Sequence, residues 1–148
     1  MSESIKFGAG MKHELEVDAE NQWILVRFRG EIAEGDALAL MQRAVQMPGW
    51  TPACDRIVVY EDDSDLNQLD VASFERLSAG LAEFIRAHYG DTPSRSAQVC
   101  NDVMKRVLLE FWVNLTEDGY PAKLQLFDTV QEAKAWLLRE RKDRDGRD

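Results

Sequence analysis

The stretch Arg56-Ile57-Val58-Val59-Tyr60 limits the fold more than any other part of the 148-residue chain. Ile57 to Tyr60 are four consecutive β-formers, and a short apolar run without alternation marks a strand covered on both faces. Such a strand belongs inside a parallel sheet. Glu61-Asp62-Asp63-Ser64-Asp65 follows at once, so its carboxyl end opens into the most acidic loop of the chain. In open α/β sheets, ligands and partners act at that end.

The remaining elements follow from periodicity. Met11, His13, Leu15 and Val17 alternate with charged residues, and Ile24, Val26 and Phe28 alternate in Trp23–Arg29; a polar turn between them predicts an antiparallel hairpin. Ala37, Leu40, Met41, Ala44 and Val45 recur at helical spacing until Pro48-Gly49. Val71, Phe74, Leu77, Leu81, Phe84, Ile85 and His88 predict a long helix with Gly90 at its C-cap, and Asp70 is a candidate N-cap. A strand over Ala97–Cys100 leads, through Asn101 or Asp102 as cap, to a helix with Met104, Val107, Leu108, Phe111 and Leu115 on its apolar face. Lys123–Phe127 reads as the last strand, and Thr129-Val130-Gln131-Glu132 as a capping box opening a helix buried through Ala133, Trp136 and Leu137.

The order is therefore β-β-α-β-α-β-α-β-α: an α/β domain with a mixed, mostly parallel five-stranded sheet packed with helices. It spans residues 11–138, between a flexible arm over 1–10 and a charged flexible tail over 139–148. The chain carries 27 acidic against 18 basic side chains, a net −9 that repels phosphate backbones and anionic lipid surfaces, so nucleic acid is not an expected partner. No apolar run is long enough to insert in a membrane, and the first ten residues lack the apolar stretch of a signal peptide, so a cytoplasmic protein is expected. Cys54 and Cys100 stand apart, outside any Cys-x-x-Cys pattern, and read as free thiols.

The Trp23–Gly30 strand running into Glu31-Ile32, the Ile57–Tyr60 strand with its acidic exit, and Lys123-Leu124-Gln125-Leu126-Phe127-Asp128 leading to Ala133-Lys134-Ala135-Trp136-Leu137 together resemble the STAS domain and its SpoIIAA-like relatives. The last signature is similar to the ending of bacterial STAS-like proteins of unknown function. The resemblance covers about residues 11–138 and rests on element order. It implies a non-catalytic, regulatory protein-interaction module that pairs with another protein or with itself as a homodimer. It also implies an alternative, a binder of a small apolar or lipid-like ligand in a groove between helix and sheet. In the antagonist members of the family, a Ser or Thr after the third strand is a phosphorylation switch; here only Asp63 and Ser64 match that turn, and Asp65 would repel a phosphate.

Chemistry-bearing residues are sparse. Asp62, Asp63, Ser64 and Asp65 form a candidate switch or acidic interaction loop, set against a plain solvated loop whose acids favour a helix start. Asp63-x-Asp65-x-Asn67 begins like a calcium loop but has Gln68 and Phe74 where Gly and Glu are required. His13 and His88 are the only histidines and read as structural. Cys100, before a helix start, is the one thiol that a dipole could activate, against simple burial. Trp112, off the main apolar face of its helix, and Trp50, in a loop, are candidate interface or groove residues. No nucleophile elbow, Walker loop or dinucleotide fingerprint occurs. No catalytic residue, metal ligand or cofactor is assigned.

Overall fold

The computed structural model describes residues 2–7 and 13–145, with side chains from residue 13 to residue 142. Six strands and four helices follow one another as β1 Ser2–Phe7, β2 His13–Asp18, β3 Trp23–Phe28, α1 Asp36–Ala44, β4 Asp55–Tyr60, α2 Val71–Tyr89, β5 Arg95–Val99, α3 Val103–Leu115, β6 Lys123–Phe127 and α4 Val130–Asp145. All strands join one sheet, in chain order from β1 to β6. The first two pairings are antiparallel and the last three parallel. The α/β class, the four helices and the mixed sheet are as the sequence predicts, and β4 lies in the interior between β3 and β5.

Two segments depart from the sequence reading. Residues 2–7 of the expected arm run as a strand paired with β2, from Ser2 opposite Asp18 to Phe7 opposite His13. Residues 1 and 8–12, with Met11 of the expected hairpin, lie outside the described residues. At the other end, the helix runs through the expected tail to Asp145, with 146–148 outside the described residues. A long-range contact anchors this turn. Arg141 is drawn to Asp55, its Nε donating to Oδ2 at 2.9 Å, while its Nη atoms donate to the carbonyls of Asn21 and Gln22.

Crossovers that step one way along a sheet with one handedness place their helices on one face. Accordingly α1, α2 and α3 cover the face bearing Ile24, Val26 and Phe28, and α4 alone covers the other, bearing Trp23, Ile57, Val59, Ala97 and Val99. Caps set the helix starts as read. Asp70 accepts from Ser73 N, Asp102 from Met104 N and Lys105 N, and Thr129 and Glu132 exchange the two bonds of the capping box. Gly49, at φ 89°, needs its glycine, because a Cβ there would stand 2.7 Å from that of Ala19.

The apolar face of α3 is rotated from the predicted one. Leu109 and Trp112 are the buried residues, whereas Met104 is 77% exposed and Val103, Val107, Phe111 and Leu115 also face outward. Trp112 turns inward, and its Nε1 donates to Ser78 Oγ at 2.7 Å.

Candidate ligand-binding site

Strand alternation sends consecutive residues of β4 to opposite layers. Asp55 goes under α4 and Arg56 under the three-helix layer. Both are buried, and their fates differ. Asp55 is fully paired, its carboxylate meeting Arg95 at 3.4 Å and Arg141 at 2.9 Å. Arg56 is 5% exposed, and its Nη1 and Nη2 have no hydrogen-bond partner among the described residues. It makes a cation–π approach, with Cζ 5.2 Å from the centre of the Tyr89 ring.

Arg56 lines a cavity of about 50 Å³ between the sheet and the helices. Leu40, Met41, Leu81 and Ile85 roof it from α1 and α2, Trp112 closes it from α3, and Val26, Val58 and Leu124 floor it from the sheet. Among these apolar walls runs a short polar row. Arg56 is the register partner of Ser96, and Val58 of Gln98, so Ser96 and Gln98 lie beside Arg56 on the same face. Tyr60 Oη donates to Gln98 Oε1 at 2.7 Å, and Gln98 Nε2 donates to Ser96 Oγ at 2.7 Å. The row ends on a hydroxyl that accepts from Gln98 and keeps its own proton to donate. Tyr120, on the α3–β6 loop, also lines the cavity.

Burial governs the titration of the two phenols. It pushes Tyr60 far above the ordinary tyrosine value, with a smaller contribution from Cys100. It raises Tyr120 to about 12, although Arg56 and then Arg86 pull the other way. Neither phenol ionises near neutral pH, so both present O–H groups.

The residues singled out from sequence are dispersed. Asp62, Asp63 and Asp65 are where the acidic exit of β4 was expected, but the loop is tied down. Ser64 is 4% exposed, and its hydroxyl donates to Glu61 O at 2.7 Å. Asp65 N donates to Gly30 O, Asp65 O accepts from Ile32 N, and Lys105 Nζ donates to Asp62 O. The side chain proposed as a switch therefore points inward. Trp50 is half-buried, edge-on to Tyr89 at 5.5 Å, with its Nε1 unpartnered among the described residues. Of the two tryptophans, Trp112 reaches the cavity.

The histidines are held by structural partners. His13 Nδ1 accepts from Arg29 N, which leaves Nε2–H to donate to Asp36 Oδ2 at 3.0 Å. His88 stacks on Phe84 and bonds its carbonyl. Cys54 and Cys100 are both buried, and burial raises the Cys54 thiol. Among the described residues, no three His, Cys, Asp or Glu side chains converge to hold a metal ion, and no helix is long and apolar enough to cross a membrane.

Sequence reasoning passed over Arg56, Gln98, Tyr60 and Tyr120 as site residues. A signal for the first three existed in the strand alternation, which places Arg56 and Tyr60 with Val58 and sets Gln98 with Ser96 on what becomes a helix-covered face. No family model, curated protein or solved structure matches the chain.

Proposed function

We propose that the chain is a non-catalytic, STAS-like module that holds a small molecule between its three-helix layer and its sheet. One observation carries this reading: a buried guanidinium, unpaired among the described residues, faces a cavity walled by apolar side chains and a short row of hydroxyl and amide groups. Leaving a buried charge without a partner costs several kcal/mol, about the full price of desolvating an ion. Close-packed cores retain few voids large enough for more than one water. The two coincide at one place.

A cavity-filling change tests it. Ala37 lines the cavity from α1, and Ala37→Phe should occlude it. Dissolved xenon is expected to shift the methyl resonances of Leu40, Leu81 and Leu124 in the parent chain and not in the variant. Unshifted methyls in the parent chain would remove the reading.

A second reading has its own observation. Val103, Met104, Val107, Phe111 and Leu115 form an uncovered apolar stripe along α3, the pattern of a helix that meets a partner. The occupant in this reading is a second copy, which lays the same stripe against itself across a two-fold axis. In this reading the module acts through contact with itself.

A further inference from the structure

We infer that the cavity takes a short-chain monocarboxylate, its carboxylate on the Arg56 guanidinium and its alkyl body among Leu40, Met41 and Leu81. The inference rests on the cavity-binding reading above and adds the charge, size and orientation of the ligand.

The sign of the ligand comes from Arg56. A guanidinium remains charged at any physiological pH, and its two Nη groups form a fork matched to two oxygens on one carbon. The fork is buried and has no acid to meet among the described residues. The neighbouring donors point to the same sign. Ser96 Oγ accepts from Gln98 and has a proton left to give, and Tyr120 is held protonated up to about 12. Arg56 and Ser96 lie on adjacent strands in direct register, so one bound carboxylate can reach both.

Size is set by the space. A water needs on the order of 10–15 Å³ of such volume, so about 50 Å³ accommodates about three to five non-hydrogen atoms. Acetate and propionate fall within that limit and butyrate just above it; a long-chain acid does not fit without parting the helices. The walls argue for an alkyl body over a bare inorganic anion, since Leu40, Met41 and Leu81 offer nothing to oxygens turned away from Arg56.

The mirror arrangement one residue earlier strengthens the contrast. Asp55 is equally buried, and the protein supplies it with two arginines. At Arg56 the described residues supply apolar walls and neutral polar groups, and no carboxylate.

The experiment is a titration of the full chain followed by NMR, observing the Arg56 side-chain N–H groups and the Leu40 and Leu81 methyls. Propionate, the neutral isostere propionamide and nitrate are compared at constant ionic strength. Propionate should saturate with shifts at both sets of probes, at least tenfold tighter than propionamide, which cannot pair with the guanidinium charge. Nitrate, planar but lacking an alkyl group, should bind several-fold more weakly than propionate. Arg56→Met should abolish saturable propionate binding, and Ser96→Ala should weaken it several-fold. Equal affinity for acid and amide, nitrate as tight as propionate, binding retained in Arg56→Met, or no saturation by propionate would each overturn the inference. The amide and nitrate comparisons use the unaltered chain, so they decide the matter even where a variant fails to fold. Xenon shifts without propionate binding would leave the cavity-binding reading standing and remove only the carboxylate.

Discussion

Arg141 Nε donates to Asp55 Oδ2 at 2.9 Å, joining residues 86 apart in sequence and tying the last helix to an interior strand. Arg95 meets the same carboxylate from β5 at 3.4 Å. The acid is therefore shared by two cations, Arg95 buried with it and Arg141 partly exposed. Removing the acid leaves Arg95 buried without a counter-ion, so Asp55→Ala should cost about 3–5 kcal/mol. Arg141→Ala should cost less, about 1–2 kcal/mol, because Arg95 remains. Urea denaturation of both variants checks the order; equal costs would mean that Arg95 contributes little.

Arg56 should behave in the opposite way. Its charge is buried without a partner among the described residues, so replacement by an apolar side chain of similar length removes an uncompensated cost. Arg56→Met is expected to raise the stability of the ligand-free protein by about 1–3 kcal/mol. Differential scanning calorimetry reads it as a higher Tm, and a lower Tm would show that the cation–π contact with Tyr89 outweighs desolvation.

Alkaline pH gives a further expectation. Tyr120 titrates near 10 when unfolded and at about 12 in the fold. The unfolded chain then loses its proton first as pH rises. The stability contributed by this phenol is complete below about pH 10 and declines toward about pH 12. Tyr120→Phe should therefore lessen the fall in stability between pH 9 and pH 11.5 by about 1–2 kcal/mol. Urea melts at the two pH values measure it, and parallel declines in the two proteins would contradict it. Tyr60 shifts the same way, so some decline should persist in the variant.

Charges on the outward face of α3 should discriminate the self-association reading. Met104 and Val107 are both well exposed, so Met104→Lys with Val107→Lys should change stability by less than about 1 kcal/mol. If α3 pairs with a second copy, sedimentation velocity should show a dimer for the parent chain and a monomer for the double variant. A monomeric parent chain at high micromolar concentration would dismiss that pairing.

What the sequence made legible follows from how locally each feature is encoded. Ile57 to Tyr60 announced an interior strand because a four-residue apolar run has few other uses. The Thr129–Glu132 box and the Asp70 cap were readable because their hydrogen bonds close within three residues. The buried face of α3 was not readable. Val103, Met104, Val107, Leu108, Leu109, Phe111, Trp112, Val113 and Leu115 allow two adjacent apolar stripes at helical spacing, and only packing against β6 and α2 selects Leu109 and Trp112. The helical residues after Arg139 looked solvated because their partner, Asp55, is remote. The cavity escaped for a similar reason: Arg56, Ser96 and Gln98 acquire a common meaning only once β4 and β5 are in register.

Because the strands lie side by side in chain order, the sheet can grow from one border as synthesis proceeds, each new ribbon adding to the one just made. α4 is the exception, returning across strands laid down long before it. Until it arrives, Ile57, Val59 and Ala97 present an uncovered greasy surface, and the final third of maturation is where a nascent molecule would most need shielding from its neighbours.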